Sequence, residues 1–288
     1  MKSSDKQYRG IFFTDFDGTL FRSDGTISAT DFATLEKLGN YGIARVIATG
    51  RSLHSFFNTV TTKLPIDYLI FSTGTGIMDY SDHSVIKSFH MEPGEIQETA
   101  ALFMEHNLDF MIHSPVPDNH RFAYWPLRSS NPDFVNRISL YKDHSRPLEK
   151  SLQGYSSASQ LLAIIAGSNN SAVYHFVKAS LPRLTVIRTT SPLDGSSTWI
   201  EVFPGGVSKG HAAEWLTGKL GIPHKHSAAI GNDYNDLEML HWADRGYAVF
   251  NAPADLKNSF HIVSSNNDNG ITEAASKWLD DVFLLELN

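Results

Sequence analysis

The sequence predicts an α/β fold: a doubly wound, mostly parallel sheet with an inserted α+β cap domain. Strand and helix patterns alternate up to residue 71, stop over about 87–204, and resume after Pro204-Gly205-Gly206. Such alternation is typical of a parallel sheet covered by helices on both faces. We therefore expect a core formed by residues 1–86 and 205–288, and a cap formed by residues 87–204.

The first half of the core has three apolar runs that predict buried strands. The predicted elements are strands at 10–14, 44–48 and 66–71 and a helix at 52–63. Between the first two strands, Ser28 and Asp31 have the spacing of a capping box, and Gly42 is a suitable stop for the helix that they open. Asp15 then stands directly at the end of the first strand.

The inserted segment and the second half of the core also divide into elements. In the cap we predict helices at 93–106 and 170–180, strands at 108–113, 121–125, 160–166 and 198–203, and loops at 114–119 and 129–133. In the core, Ser208 caps a helix that Gly221 ends. Strands at 227–230, 246–250 and 261–263 and a helix at 272–278 follow.

The composition excludes several classes of protein. The chain has 288 residues, no cysteine and a formal net charge of −7. The absence of cysteine excludes thiol catalysis and cysteine–zinc sites. No run of basic residues indicates a nucleic-acid partner. No apolar run reaches the ~20 residues that are needed to span a bilayer. The first ten residues are polar, so we expect no secretory signal. We expect a cytoplasmic monomer or homodimer whose partner is a small molecule, with no membrane or nucleic-acid partner.

The strongest motif is Asp15-Phe16-Asp17-Gly18-Thr19, directly after the first strand. Ligands of open α/β sheets bind at the carboxyl ends of the strands. There, Asp15 can attack phosphorus, and Asp17 can protonate the leaving oxygen and later deprotonate water. Gly18 lets the backbone approach a phosphate closely. Two adjacent carboxylates also need a cation, for which Mg²⁺ is suited by its preference for oxygen ligands.

Three further polar motifs follow predicted strands or begin helices. Thr49-Gly50-Arg51 offers a hydroxyl and helix-terminal N–H groups to phosphate oxygens. Lys209 lies in the first turn of a helix, where the macrodipole disfavours a cation, which suggests phosphate or Asp15 as its partner. The third motif, 231–236, ends a strand and supplies more oxygen ligands for the metal, with Asn232, Asp233 and Asp236 as the candidates.

These four motifs together resemble the haloacid dehalogenase superfamily of phosphohydrolases, in particular its Cof-type branch of sugar-phosphate and sucrose-phosphate phosphatases. The large cap inserted before the Lys209 motif and the Gly206-Val207-Ser208-Lys209-Gly210 run itself also fit that branch. The resemblance implies Asp15 as nucleophile, Asp17 as acid/base, and Thr49 and Lys209 as phosphate ligands. It further implies substrate contacts from Gly18, Gly50, Arg51 and Asn235, and Mg²⁺ held by Asp15, Asp17, Asn232 and Asp236.

One residue departs from the branch pattern. Asn232 stands where the branch usually has an aspartate, so this ligand is neutral. The predicted function is Mg²⁺-dependent hydrolysis of a small phosphorylated metabolite, a sugar phosphate, through an aspartyl-phosphate. A phosphomutase and a non-catalytic sensor of phosphorylated ligands remain alternatives. A phospho-accepting receiver domain fits less well, because its acceptor usually follows a later strand.

The cap is expected to select the substrate and to act as a lid, with hinges near 84–88 and 204–206. Polar and aromatic side chains, which suit hydroxyl-rich ligands, concentrate around its predicted strands. These candidates are His113, Asp118, Asn119, His120, Arg121, Tyr124 and Trp125.

Overall fold

The computed structural model describes residues 6–125, 131–149, 152–167 and 170–284. The chain divides into two compact units. Unit 1 comprises Met1–Arg51, Phe56–Lys87 and Ser208–Asn288, and unit 2 comprises Ser52–Ser55 and Ser88–Val207. Within the described ranges, no helix is both long enough and apolar enough to cross a bilayer.

Unit 1 is built on an eight-stranded sheet with the order β14-β13-β12-β1-β2-β3-β4-β5. Its strands are β1 (Gly10–Asp15), β2 (Ile43–Ala48), β3 (Tyr68–Phe71), β4 (Gly76–Asp79), β5 (Ser84–Ser88), β12 (Ser227–Gly231), β13 (Arg245–Val249) and β14 (His261–Val263). Its helices are α1 (Ala29–Asn40), α2 (Leu53–Thr59), α6 (Lys209–Lys219), α7 (Leu237–Trp242), α8 (Ala254–Lys257) and α9 (Gly270–Phe283), with the start of α2 assigned to unit 2.

The register of this sheet determines where polar motifs meet. Strand β1 pairs in parallel with β12 on one side and with β2 on the other. The chain therefore runs outward from β1 in both directions, which makes β1 the border of a topological switch point. The carboxyl ends of β1, β2, β3 and β12 consequently share one edge of the sheet.

The core of unit 1 is apolar on the strands that carry these ends. Ile11, Phe13 and Val46 are fully buried in one cluster, with Leu216 of α6 and Met239 of α7 packed against them. Burial of this kind stabilises by about 25 cal/mol per Å² of apolar surface. The loops that follow the strands are thus anchored by buried strands and carry the polar side chains.

Unit 2 contains a six-stranded, largely antiparallel sheet with the order β10-β11-β9-β6-β7-β8. Its strands are β6 (Asp109–His113), β7 (Phe122–Tyr124), β8 (Ser145–Pro147), β9 (Gln160–Ile165), β10 (Thr185–Thr190) and β11 (Thr198–Phe203). Its helices are α3 (Pro93–Glu105), α4 (Pro132–Leu140) and α5 (Ser171–Ser180). Ile96, Phe103 and Val177 pack in one cluster with the sheet, while Phe134 of α4 joins a second cluster with Trp199.

The structure confirms the α/β class and adds seven elements that the sequence did not predict: β4, β5, β8, β10, α4, α7 and α8. The most instructive is α4, which begins at Pro132 where a loop was predicted over 129–133. Asn131 caps it by accepting from the N–H groups of Asp133 and Phe134. Asparagine followed by proline is typical of a helix start as well as of a turn. Residues 129 and 130 lie outside the described ranges.

Two local predictions were wrong in detail. Ser28 caps α1 as expected, but Asp31 does not complete the capping box: it accepts from the N–H and hydroxyl of Thr272 in α9. The predicted helix at 52–63 is shorter, because α2 ends at Thr59. The next three residues, 60–62, are β-branched and lower helix propensity.

Candidate active site

Asp15 ends β1 and is the centre of the site. Its residue is only 4% exposed, so its carboxylate needs compensating partners. Lys209 Nζ donates to Asp15 Oδ1 at 2.6 Å. Burial and the neighbouring charge of Asp236 raise the pKa of Asp15 to about 7, although Lys209 acts to lower it.

Lys209 is fully buried in the first turn of α6, a position where a cation needs a specific partner. Its ammonium donates to Asp15 Oδ1 and Asp236 Oδ1, both at 2.6 Å, and to Asn235 Oδ1 at 3.4 Å. The two carboxylates outweigh the effect of burial and raise the pKa of Lys209 above its ordinary value. The structure therefore places a permanent positive charge beside the predicted nucleophile.

Asp17 lies two residues after Asp15 and forms a two-bond ion pair with Arg51. Arg51 Nε donates to Asp17 Oδ2 at 2.8 Å, and Arg51 Nη2 donates to Asp17 Oδ1 at 2.7 Å. The Asp17 side chain is 44% exposed, unlike that of Asp15. The predicted acid/base is thus oriented by a guanidinium and accessible to solvent.

The side-chain amide of Asn232 lies against both aspartates. With the amide oriented to satisfy its surroundings, its nitrogen donates to Asp15 Oδ2 and to the Asp17 carbonyl, each at 3.0 Å. Gly18 makes this approach possible. It has a φ of +75°, and a Cβ there would come within 2.7 Å of the Asn232 amide.

The loop that carries Asn232 is held by Asp236. Asp236 Oδ2 accepts from the backbone N–H groups of Asn232, at 2.9 Å, and Asp233, at 3.0 Å. Asp236 Oδ1 accepts from Lys209. Both carboxylate oxygens therefore have partners, and Asp236 fixes the positions of Asn232 and Lys209.

A second group of side chains lies around Gly50, after β2. Thr49 is fully buried and its hydroxyl accepts from the Arg51 N–H at 3.1 Å. A Cβ placed on Gly50 would be 3.6 Å from both Thr73 Oγ1 and Asn235 Nδ2. Polar groups from three loops thus converge beside Gly50, which is itself exposed.

Comparison with known families supports the assignment that this geometry suggests. The family model of the haloacid dehalogenase-like hydrolases matches residues 12–274. The chain belongs to the haloacid dehalogenase-like hydrolases. It is a phosphatase of the Cof-type branch, and hence a phosphoric monoester hydrolase.

Individual relatives of this phosphatase act on different compounds. The chain is 23% identical over 276 residues to the 5-amino-6-(5-phospho-D-ribitylamino)uracil phosphatase YwtE of Bacillus subtilis, covering 89% of this chain and 93% of the relative. It is 23% identical over 280 residues to the pyridoxal phosphate phosphatase YbhA of Escherichia coli, covering 89% and 93%. The fold is shared with the solved sugar phosphatase BT4131 of subclass IIB, with a TM-score of 0.72, 20% identity and coverage of 93% and 98%.

The family implies a Mg²⁺ ion, and the oxygen atoms of this phosphatase fit one. The Asn232 amide is within hydrogen-bond distance of both Asp15 Oδ2 and the Asp17 carbonyl. A carboxylate, a main-chain carbonyl and an amide oxygen are ligands that Mg²⁺ accepts. Asp236, also predicted as a ligand, has both oxygens bonded to Lys209 and to backbone N–H groups.

In unit 2, the predicted substrate-binding candidates occupy different environments. His113 is buried and its Nδ1 contacts the carbonyl of Asn119 at 2.8 Å. Asp118 and Arg121 form a largely exposed pair at 3.9 Å. Tyr124 packs against Phe134 and Trp125 against Phe110, which belong to different apolar clusters. His120 stacks on His54.

Thr73 is the site residue that the sequence did not reveal. It lies in a short 3₁₀ turn after β3 with a φ of +56°, a strained conformation for a β-branched residue. Its hydroxyl is buried and has no hydrogen-bond partner among the described residues. Its N–H donates to the Thr49 carbonyl at 3.0 Å, which connects the turn to the Thr49-Gly50-Arg51 motif. No sequence signal marks such a turn.

Proposed function

We propose that the protein hydrolyses a small sugar phosphate in a Mg²⁺-dependent reaction through an aspartyl-phosphate on Asp15. One observation carries the proposal: Asp15 is buried at the end of β1 with Lys209 at 2.6 Å, and Asp17 lies two residues on. A buried carboxylate beside a fixed cation suits nucleophilic attack on a phosphoryl group, whose charge the same cation attracts.

The two aspartates have different roles in the proposed reaction. Asp15 attacks phosphorus, and Asp17, oriented by Arg51, donates a proton to the leaving oxygen. Asp17 then accepts a proton from the water that hydrolyses the acyl-phosphate. The Lys209 ammonium and the hydroxyls of Thr49 and Thr73 face the transferred phosphoryl oxygens.

The burial of Asp15 favours a bound cation. Burial and the charge of Asp236 raise the pKa of Asp15 to about 7, so the anionic form that attacks phosphorus is disfavoured unless positive charge compensates it. When bound by Asp15, Asp17 and Asn232, Mg²⁺ would supply positive charge that favours the carboxylate and neutralises the phosphoryl group. This arrangement supports the proposed Mg²⁺ dependence.

The sugar phosphate is proposed on two grounds. The structurally similar BT4131 is a sugar phosphatase. In unit 2, buried polar side chains also share one face of the sheet: Gln160 and Thr189 both donate to Glu201, at 3.3 and 3.4 Å. Hydroxyl-rich ligands need such donors and acceptors.

The test is release of inorganic phosphate from a panel of hexose and pentose phosphates and pyridoxal phosphate, with Mg²⁺ or with EDTA. We expect the highest kcat/KM for a sugar phosphate, no turnover with EDTA, and one phosphate released per substrate consumed. The Asp15→Asn variant should lose on the order of 10⁴-fold or more in kcat, as other enzymes do without their nucleophile. Asp143→Asn, a change at an exposed carboxylate of unit 2, is the control.

The substrate, the hydrolysis and the nucleophile would each be contradicted by a different experimental result. A higher kcat/KM for pyridoxal phosphate would exclude the sugar but retain the phosphatase. Substrate loss without phosphate release would indicate a phosphomutase. Specific ligand binding without turnover of any compound would indicate a sensor. Substantial turnover by Asp15→Asn, or a phosphoryl group trapped on another residue, would refute Asp15 as the nucleophile.

A further inference from the structure

Three histidines of unit 2 form a compact cluster that phosphate hydrolysis does not use. They are His54 in α2, His120 before β7 and His144 before β8. One ring nitrogen from each lies within 4.8 Å of those of the other two. The ring centroids are 4.5 Å apart for His54 and His120, 4.9 Å for His54 and His144, and 4.8 Å for His120 and His144.

The polar atoms of this cluster are incompletely satisfied. Nδ1 of His120 and Nδ1 of His144 are both buried and have no hydrogen-bond partner among the described residues. A buried polar atom without a partner destabilises the folded state. Ring stacking explains the close centroids, but it leaves these two nitrogens without partners among the described residues, so they are available to a ligand.

The protonation of two of the three histidines, His54 and His120, also suits a metal. Burial, followed by the charge of neighbouring histidines, lowers the pKa of His54 and that of His120 below the ordinary value of 6.5. Their imidazoles are therefore neutral at physiological pH, which is the form that coordinates metals. Arg121 lies close enough to oppose a cation, but Asp118 pairs with it at 3.9 Å and offsets its charge.

We propose that His54, His120 and His144 bind one divalent transition-metal ion, of the Zn²⁺, Co²⁺ or Ni²⁺ class, through three imidazole nitrogens. Imidazole suits these ions, whereas Mg²⁺ prefers oxygen, so the site is distinct in chemistry from Asp15, Asp17 and Asn232. Zinc–nitrogen bonds are about 2.0–2.1 Å long, and small ring rotations would bring the three nitrogens to that distance. A fourth coordination position would remain for water or another ligand.

The site would connect three separate stretches of unit 2. His54 belongs to the segment Ser52–Ser55, whereas His120 and His144 belong to loops on either side of β7. Since these stretches are far apart in sequence, no short metal-binding motif marks the site. Binding would stabilise the folded unit by mass action, because the unfolded chain does not hold the three rings together.

The experiment uses tag-free, full-length protein with saturating Mg²⁺, so that oxygen ligands of the active site are occupied. Calorimetric titration with Zn²⁺ should show one tight equivalent, and Co²⁺ should give visible absorption bands. His54→Gln, His120→Gln and His144→Gln should each weaken Zn²⁺ binding by more than about 100-fold, the upper end of the loss seen when only an outer partner of a ligand is removed. His175→Gln, an exposed histidine of the same unit, should bind as the native protein does.

X-ray absorption of the Zn²⁺-loaded native protein provides a readout that needs no variant to fold. Scattering from three imidazoles supports the site, and a shell of oxygen ligands overturns it. Unchanged Zn²⁺ binding in all three glutamine variants, or no Zn²⁺ binding by folded native protein, also overturns it. Asp15→Asn should keep the Zn²⁺ equivalent, so failure of the proposed hydrolysis and failure of this site are separate outcomes.

Discussion

The side chain of Asn232 is a neutral amide that contacts both aspartates. Its nitrogen lies 3.0 Å from Asp15 Oδ2 and 3.0 Å from the Asp17 carbonyl oxygen. In the absence of a cation, this amide satisfies both oxygens by donating to them. In the proposed metal-bound site, the amide would present its oxygen instead. Metal coordination would then replace the two hydrogen bonds, and the site would carry one negative charge fewer than a site with aspartate at this position.

Asn232→Asp should therefore tighten Mg²⁺ binding. The added charge attracts the divalent ion and removes the two competing hydrogen bonds. We expect the Mg²⁺ concentration for half-maximal activity to fall about tenfold, equivalent to ~1.4 kcal/mol. The maximal rate need not rise, since the same charge repels the substrate phosphate. A Mg²⁺ titration of activity at one pH and ionic strength measures the effect.

The control for this titration is Asn258→Asp, which adds the same charge at an exposed position at the end of α8. It should leave the midpoint unchanged. An unchanged midpoint in Asn232→Asp as well would show that Asn232 does not bind the metal.

Thr73→Val should separate catalysis from stability. Valine keeps the β-branched shape at this strained position but removes a buried hydroxyl that has no protein partner. The free energy of unfolding should therefore be unchanged or slightly raised. In contrast, kcat/KM should fall about 10–100-fold, because a hydrogen bond to a charged phosphoryl oxygen contributes about 1.5–3 kcal/mol.

Thr99→Val is the matched control, since Thr99 is a fully buried threonine of α3 whose hydroxyl also has no partner among the described residues. Its stability should respond as in Thr73→Val, but kcat/KM should not change. Equal kcat/KM in Thr73→Val and the native protein would show that the hydroxyl does not contact substrate.

At the scale of elements, the sequence predicted the site wherever a polar motif directly follows a buried strand. Asp15 after β1 and Thr49 after β2 follow from apolar periodicity and parallel pairing. Lys209 was expected to have an anionic partner because of its place in α6. Its second carboxylate partner, Asp236, was not predicted, since the fold of the loop around Asn232 determines that contact.

Other features depend on tertiary contacts that no local pattern contains. Thr73 reaches the site through a turn with positive φ, and His54, His120 and His144 meet only after unit 2 has folded. Helix α4 was missed because Asn131-Pro132 has the same local chemistry in a turn and at a helix start.

The buried carboxylate of Asp67, just before β3, should make the free energy of unfolding fall at acidic pH. Asp67 is 2% exposed and accepts from Arg45 Nε at 2.8 Å, from the Arg45 N–H at 3.1 Å and from Lys6 Nζ at 2.9 Å. Burial tends to raise the pKa of Asp67, but the bonds from Arg45 outweigh it and hold the pKa below 3.8. The stabilisation is therefore present above the unfolded pKa and is lost as pH falls through the folded pKa.

Asp67→Asn should accordingly lower the free energy of unfolding by roughly 3 kcal/mol at pH 7, because it leaves Arg45 without its buried charge partner. Urea unfolding at pH 7 and at several values below about pH 4 would measure the difference from the native protein. The difference should shrink over the acidic range. A difference that stays constant down to pH 3 would show that the ionised carboxylate is not its source, and Asp143→Asn serves as the surface control.

At the scale of the whole molecule, the formal net charge is −7, and the group of charged side chains around Asp15 contributes to it. Three carboxylates (Asp15, Asp17 and Asp236) face two cations (Lys209 and Arg51), so the formal charge of the group is −1. Folding brings these charges together, and burial makes the charge of Asp15 costly. A bound divalent cation would relieve that cost in the folded state alone.

Mg²⁺ should therefore raise the melting temperature of the unit that holds the site. At a free concentration 100 times Kd, a ligand specific for the native state contributes about 2.7 kcal/mol. With a shift of about 2–4 °C per kcal/mol for chains of 150–250 residues, we expect an increase of roughly 5–10 °C. Calorimetric melting in EDTA and in Mg²⁺ measures it, with Asp15→Asn expected to show a much smaller increase because it loses the charged ligand. An equal increase in both proteins would place the stabilising Mg²⁺ elsewhere, and no increase at concentrations that saturate activity would exclude the linkage between metal binding and folding.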